Sequence, residues 1–487
     1  MSFLSTIEVK SMSAIRIGQA TRTLAVIGIL CIIVFIKTIS ILTTQPTAVV
    51  QPLTTVVSGS TAVALQLQAP ALLRQVPVDL QIQAAQAMVQ KVPNEPDGYN
   101  RLAATYMQKA RETGDFGLNA KAESALKYSF KVAPDNYRAI ELQAVLLLTY
   151  HQFSEALAVA HHAQQLRPRD PEVYGAMIDA LVELGDYEGA LAAVQTMLEL
   201  RPNSTAYARL SYLRALHGDP EGAIAAMRRA AKVANPWDRE GVAWYRLQLG
   251  NELMNAGLLA EGEREVDIAL HTFPNYHLAL AAKARARVAA GDLESAVDFY
   301  QRAQERVPLP DTAIALGNLY THLGALERAQ RQYDLVEFIE RAGTAISQTY
   351  SREIALFWAD RNLKLDQALA IAQRERLTRS DIYTFDVLAW CLFKQGKLPE
   401  AKTAIDSALR LGTRDARIYY HAGMIDHGLG DRLKARNYLK LALQINPYFD
   451  ILQADIARQT LNSITQEEGV TGGIISLSPL LPLSLSA

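Results

Sequence analysis

The chain of 487 residues is 49% hydrophobic, so it is long and apolar enough to bury a substantial core. Its 49 Lys and Arg residues balance 50 Asp and Glu residues, which excludes a broadly basic protein that holds nucleic acid by counterion release. The two cysteines, Cys31 and Cys391, exclude a disulfide framework and a CxxC pair of metal ligands. We therefore expect no nucleic-acid partner.

The N-terminal stretch predicts a membrane anchor. Residues 1–22 are net basic, and residues 23–42 form an apolar run interrupted only by Lys37. A helix of that length covers about 30 Å, the thickness of the hydrocarbon core of a bilayer. Because no other charge follows the run before Arg74, the positive-inside rule places residues 1–22 in the cytoplasm. The sequence thus predicts a single-pass membrane protein whose remaining chain is extracytoplasmic.

A cleaved signal peptide is the alternative interpretation of this stretch, and it would leave a secreted binding protein. The apolar core from Leu24 to Ile36 has a suitable length for it, but the nearest small-x-small site, Ala62-Val63-Ala64, lies far beyond that core. Residues 43–78 follow, with no charged residue from Thr43 to Leu73 and no sustained helical period. This composition is typical of a flexible tether.

Beyond the tether, prolines recur at a fixed period. The interval is constant from Pro134 through Pro168 and Pro202 to Pro236 (168−134 = 34), and it returns between Pro274 and Pro308. Within one such unit, apolar residues recur at helical spacing, Gly185 can stop a first helix and Asp186 can cap a second. Ala190 falls where the two helices must approach closely, and Ala296 occupies the same place three units later. Neither helix can bury its apolar face alone, so neighbouring units must stack.

Residues 79–464 are predicted to hold about ten units, with capping helices over Asp79–Lys91 and Ile451–Ile464. The residues from 465 to 487 carry no charge after Glu468, and we expect a disordered tail there.

Three units depart from the regular pattern. The first full unit has a longer step between prolines, which predicts an extended inter-helix loop around Gly114 to Gly117. The step from Pro236 to Pro274 is also longer (274−236 = 38), which predicts an extra helical turn near Trp237 to Trp244. The unit around Ile354 lacks both the turn Gly and the terminal Pro.

The repeated residues resemble the tetratricopeptide repeat, in which Leu-Gly, Tyr, Gly, Ala, an aromatic residue and Pro occupy fixed places in a unit of about 34 residues. The pattern is fullest in Leu249-Gly250, Gly257, Ala269 and Pro274, in Leu316-Gly317, Tyr320, Gly324, Ala329 and Tyr333, and in Gly423, Gly430, Ala435, Ala442 and Pro447. The resemblance implies an all-α fold, an α-solenoid in which helix pairs wind into a right-handed superhelix after the single transmembrane helix. It also implies a concave groove, lined by first helices, that binds proteins or peptides. Catalysis is not the usual activity of such arrays.

The sequence shows no feature that points to catalysis, a cofactor or a metal. It lacks the HExxH, GxSxG and P-loop patterns. His161 and His162 diverge on a helix, while His421 and His427 lie six residues apart, so neither pair suits a shared metal ion. The family's Lys and Asn clamp for a C-terminal carboxylate is also absent, because its places hold other residues. Examples are Glu141 with Val145, Gly175 with Asp179, Arg209 with Leu213, and Ile314 with Asn318.

The candidate partner-binding residues are aromatic. The resemblance places six of them on the groove side of first helices: Tyr350, Phe357, Tyr383, Trp390, Phe393 and Tyr420. Exposed aromatic anchors are common binding hot spots, whereas packing between neighbouring helices is the alternative for each ring. The favoured function is a membrane-anchored scaffold that binds protein or peptide partners, in the assembly or organisation of an envelope or membrane complex. The alternative is a noncatalytic arm of a separate enzyme, such as a glycosyltransferase or protease.

Overall fold

The computed structural model describes residues 77–345 and 351–475, all within the second of two compact units, Gln68–Ala487. The described residues contain 22 α-helices and no strand, which confirms the predicted all-α class. None of these helices combines the length and hydropathy needed to span a bilayer. The predicted anchor, residues 23–42, lies outside the described part of the chain.

The helices follow one another through short loops. In chain order they are α1 (Val78–Lys91), α2 (Pro96–Thr113), α3 (Gly117–Val132), α4 (Tyr137–Thr149), α5 (Phe153–Leu166), α6 (Glu172–Leu184), α7 (Tyr187–Leu200), α8 (Ser204–Leu216), α9 (Pro220–Val233), α10 (Arg239–Asn255), α11 (Leu259–Thr272), α12 (His277–Ala289), α13 (Leu293–Arg306), α14 (Pro310–His322), α15 (Leu326–Ala345), α16 (Ser351–Asp360), α17 (Leu365–Thr378), α18 (Ile382–Lys394), α19 (Leu398–Ala408), α20 (Ala416–Gly428), α21 (Arg432–Ile445) and α22 (Gln453–Ile475).

Ten helix pairs, from α2 with α3 to α20 with α21, stack between α1 and α22. The local chemistry of a unit is clearest between α6 and α7. Gly185 ends α6 in the left-handed conformation (φ 78°), and Asp186 caps α7 by accepting a hydrogen bond from the Gly189 N–H at 2.8 Å. At the crossing of the two helices, Ala190 is completely buried, as is Ala296 in α13. Small side chains let the two backbones of each pair approach.

The three irregular units depart from the regular pair in different ways. The loop after α2 has only three residues, from Gly114 to Phe116, so the expected long loop is wrong. The extra length lies in the helices, because α2 has 18 residues and α3 has 16. The extra turn is confirmed in α10, whose 17 residues compare with 13 in α8. Between α16 and α17, Asn362 and Lys364 adopt positive φ (53° and 43°), so two non-glycine residues make the turn.

The C-terminal boundary also differs from the expectation. The last helix, α22, continues to Ile475, so the predicted capping helix ending at Ile464 is too short and the tail does not begin at residue 465. Residues 476–487 lie outside the described part of the chain.

Loops that are far apart in sequence touch one another. An added Cβ on Gly114 would overlap the Val307 side chain, and one on Gly185 would lie 2.5 Å from the Ser380 carbonyl oxygen. A Cβ added to Gly218 would also lie 2.5 Å from a carbonyl oxygen, that of Gly412. The separations in sequence are nearly equal (307−114 = 193, 380−185 = 195, 412−218 = 194). The array therefore winds back onto itself after between five and six repeat units.

We call the contact between residues 183–218 and residues 379–413 the seam. The Ser380 N–H donates to the Glu183 carbonyl oxygen at 2.8 Å, and the Ile382 N–H donates to Tyr187 Oη at 3.0 Å. Arg379, which is 2% exposed at its side chain, pairs with the Glu183 carboxylate at 3.3 Å. These bonds join helix pairs that are not neighbours in the stack.

A second group of seam contacts lies further along the two loops. The Thr413 hydroxyl donates to the Leu216 carbonyl oxygen. The Arg410 guanidinium crosses the seam to lie over the Tyr187 ring at 5.1 Å, and within its own side of the seam it donates to the Ser380 carbonyl oxygen at 2.8 Å. The seam is therefore hydrogen bonded along its length rather than merely in van der Waals contact.

Candidate partner-binding surface

Three of the six predicted aromatic residues are core residues. Phe357, Trp390 and Tyr420 are 3%, 2% and 2% exposed. Side chains at that level of burial offer no area to a partner, so the expectation that these three line an open groove is wrong. Tyr350 lies outside the described residues.

Trp390 shows why these rings are buried. Its indole N–H donates to Asp360 Oδ1 at 2.7 Å, and its ring stacks on His421 with 4.1 Å between centroids. The Phe393 ring stacks on the Trp390 ring with 5.0 Å between centroids, and the Tyr420 ring contacts the Trp390 ring at 5.5 Å. The aromatic residues of α18 and α20 therefore hold neighbouring first helices together.

Buried polar groups accompany this cluster. His421 is fully buried, and its Nδ1 lies 2.8 Å from Asp386 Oδ1. Burial raises the pKa of Asp360 to about 6. His421 is thus a packing histidine rather than a surface residue. Within the described residues, no cluster of His, Cys, Asp or Glu is arranged to hold a metal ion.

Tyr383 differs from the other aromatic residues because it is half-buried and lines a cavity of about 670 Å³. We call this cavity the channel. It is faced by the first helices of five pairs, α8, α10, α12, α14 and α18, and by the chain around Asn446 to Ile451. First helices therefore line a recess, as the family resemblance implies. Phe393 is also half-buried, but it does not line the channel.

The wall of the channel is polar and aromatic together. Tyr212 is 42% exposed and lines the channel on the first winding of the array, the units that contain residues 183–218. Tyr383 lines it on the second winding, the units that contain residues 379–413. Arg285 donates to Asn251 Oδ1 at 3.0 Å, and Asn318 accepts from the Tyr333 hydroxyl at 3.0 Å. Amide and guanidinium groups of this kind can bind a peptide backbone, which presents both donors and acceptors.

Glu252 is a carboxyl group in the channel wall whose pKa is raised. Burial raises its pKa to about 7, because the enclosed wall disfavours the charged form. At neutral pH the group is therefore divided between a carboxylate, which only accepts hydrogen bonds, and a neutral carboxylic acid, which can also donate one.

A separate cavity of about 760 Å³ lies near the N-terminal end of the array, between α1, α2 and α4. Arg111 at its edge donates to Glu240 at 3.3 Å, which ties α2 to the start of α10. None of the six predicted residues lines this cavity.

Asn251, Arg285 and Asn318 are among the channel residues that were not selected as candidates from the sequence. They occupy matching places in successive first helices, with nearly equal steps between them (285−251 = 34, 318−285 = 33). That register is a usable sequence signal. Selection by aromatic character missed it, because in these helices the aromatic residues mostly fill the space between neighbours.

Family models described as tetratricopeptide repeat match residues 147–211, 247–309 and 416–449. Together with the paired helices, these matches show that the chain contains tetratricopeptide repeats and folds as a helical solenoid. No curated protein matches the chain.

Several solved structures are similar to part of this chain over most of their own length. PilW, described as a widely conserved type IV pilus biogenesis factor, is 18% identical, with 41% of this chain and 90% of PilW covered and a TM-score of 0.36. A tetratricopeptide repeat protein from Parabacteroides merdae is 18% identical, with 54% and 98% covered and a TM-score of 0.31. The human IFIT1 dimer with PPP-AAAA is 12% identical, with 75% and 94% covered and a TM-score of 0.41. Likeness at this level transfers no activity or partner to this chain.

Proposed function

We propose that this protein is a membrane-anchored, noncatalytic scaffold that binds a protein or peptide partner in the channel. The observation that carries the proposal is the channel itself, a recess of about 670 Å³ faced by the first helices of five repeats. Its size lies in the range of ligand-binding recesses, and its wall combines aromatic rings with hydrogen-bonding side chains.

The membrane part of the proposal rests on the sequence of residues 1–42. The apolar run is long enough to span a bilayer, and its basic flank favours an extracytoplasmic array. A tethered binding module outside the cytoplasm suits the assembly or organisation of an envelope or membrane complex. The protein partner would then be brought to the membrane surface by the anchor.

Site-specific photo-crosslinking tests the binding surface. A photoreactive phenylalanine analogue replaces Tyr383 in the channel and, in a matched control, Tyr128, which is 57% exposed on α3. We expect irradiation of intact cells to give the same crosslinked partner from position 383 in repeated experiments and not from position 128. Equal crosslinking from both positions, or crosslinking from position 128 alone, would place the binding surface elsewhere.

A further inference from the structure

The seam and the channel share part of their structure. Thr413 donates its hydroxyl hydrogen to the Leu216 carbonyl oxygen across the seam, and Thr413 also lines the channel. Tyr212, one helical turn before Leu216, lies on the same wall. The channel is therefore bounded by the first winding of the array on one side and by the second winding on the other, with the seam between them.

The seam is built for close approach. Gly185 and Gly218 have φ values of 78° and 73°, and a Cβ at either position would lie 2.5 Å from a carbonyl oxygen of the other winding. The buried Arg379 also contributes, because it forms an ion pair with Glu183 across the seam and another with Glu375, in its own helix pair, at 3.2 Å. The two windings therefore approach each other as closely at these glycines as packed segments do inside a domain.

The seam stops where the second winding ends. The turn glycines Gly257, Gly291 and Gly324 have similar φ values of 81°, 77° and 72°, but an added Cβ at these positions meets nothing within 4 Å. Adding the separation found across the seam to position 257 gives position 451 (257 + 194), close to the end of the last helix pair. A recess of about 240 Å³ lies beside this point, lined by Asn255, Arg414 and Asn446 among others. We call this recess the mouth.

The size of the channel limits what can enter it. A compact domain of about 50 residues has a radius of gyration of about 10 Å and fills roughly 8,000 Å³. The channel offers about 670 Å³, which suits a few residues of extended chain. A folded domain could reach the wall only if the two windings separated.

We infer that the seam closes the side of the channel, so that the channel accepts an extended polypeptide segment through the mouth and excludes a folded domain. This inference rests on the proposed function, because it specifies the form of the partner for the same site. A partner of this kind has an unfolded, peptide-like segment with a free end or a long loop.

Size-dependent labelling of a cysteine tests the inference without knowledge of the partner. In the full-length chain with Cys31→Ser, Tyr212→Cys places a thiol in the channel and Tyr128→Cys places one on the exposed control surface. Cys391 is retained because it is completely buried. Two probes are compared: a small maleimide, and the same maleimide joined by a short linker to a folded carrier protein.

With the seam intact, we expect the small probe to label both thiols. The carrier probe should label position 212 at least about tenfold more slowly than position 128, since it must wait for the windings to separate. Comparable carrier labelling at the two positions would overturn the inference, and so would failure of the small probe to reach position 212.

Seam variants complete the test. Gly185→Ala with Gly218→Ala inserts two methyl groups into the seam, and carrier labelling at position 212 should rise toward the control rate. Gly291→Ala with Gly324→Ala imposes the same backbone strain in open space, and labelling should stay slow. Tyr187→Phe with Thr413→Val removes two seam hydrogen bonds without adding bulk, which provides a second opening variant if the alanine pair misfolds.

Slow carrier labelling in folded variants of both seam designs would contradict a gating role for the seam. Loss of photo-crosslinking at position 383 with size-dependent labelling intact would instead contradict the proposed function alone.

Discussion

Trp390 shows that an aromatic residue on a first helix can pack between helices instead of binding a partner. The ring is 2% exposed, its N–H is bonded to Asp360, and it stacks on Phe393 and His421. Its position on the inner side of a first helix is therefore compatible with packing against the next first helix. Such a ring stabilises the fold and does not contribute to partner binding.

Replacing this ring should unfold its surroundings. We expect Trp390→Ala to lower the local free energy of unfolding by about 3–5 kcal/mol, because it removes a large buried side chain and leaves a cavity. Hydrogen exchange in α18 and α20 measures this change. Trp237→Ala is the matched control, since Trp237 is 51% exposed and its loss should cost less than about 0.5 kcal/mol. Unchanged protection in α18 after Trp390→Ala would show that the ring is not part of the core.

Glu252 predicts a pH dependence of stability. Burial raises its folded pKa to about 7, above the ordinary value of 4.5, so the folded state holds the proton more tightly than the unfolded state. The stability is therefore greater below about pH 4.5 and falls as the pH rises toward 7, by up to about 3 kcal/mol for this group alone. We expect Glu252→Gln to remove this decline between pH 5 and 7, about the range set by these two values. Thermal melts of this variant and of an exposed control, Glu294→Gln, compared with the unaltered chain, measure the effect. An unchanged decline in Glu252→Gln would contradict it.

At the scale of the helix, most of the fold follows from spacing. The constant period of the prolines, the αL glycine at Gly185 and the Asp186 cap specify two antiparallel helices and a buried alanine between them. The unit with Asn362 and Lys364 at positive φ also folds as a helix pair, because packing against both neighbours outweighs the local strain of that turn.

The close crossing at Ala190 can be tested by adding volume. Ala190→Leu and Ala296→Leu should each destabilise their pair by about 1–3 kcal/mol, since both sites are completely buried. Ala192→Leu is the matched control, because Ala192 is exposed on the same helix as Ala190. Hydrogen exchange across α6 and α7 should decrease in protection for the first variant and stay unchanged for the control. Equal effects at 190 and 192 would contradict the register of the repeat.

The binding surface was less predictable than the helices. The period places residues on first helices, but whether a ring fills space between two first helices or faces the channel depends on the angle between neighbouring pairs. That angle is set by the sum of many contacts and has no local sequence signature. The sequence therefore does not distinguish Tyr383 from Trp390, although Tyr383 lines the channel and Trp390 is buried.

For the whole molecule, the anchor predicts topology. Protease added to intact spheroplasts should digest the array, and carbonate washing should leave the full-length chain in the membrane fraction, because residues 23–42 would span the bilayer. A cytoplasmic marker that stays intact is the control for membrane integrity. Protection of the array, or release of the full-length chain by carbonate, would contradict the proposed anchor.

The winding of the array underlies the seam, the channel and the proposed mode of binding. Tetratricopeptide repeats can stack in an open coil, in which case residues 183 and 379 would be separated by about six units. Two helices per unit at about 10 Å spacing would then put the two positions well over about 50 Å apart along the stack. In the structure, the side chains at these positions form an ion pair at 3.3 Å.

Pulsed electron paramagnetic resonance on the full-length chain tests this winding most directly. Spin labels at Glu188 and Ser407 flank the seam, since Glu188 follows Tyr187 and Ser407 lies beside Arg410 in the bonded network. We expect a narrow distribution of distances below about 30 Å, because the two windings are bonded to each other at this point. A broad distribution centred beyond about 50 Å would show an open coil and would contradict the closed channel.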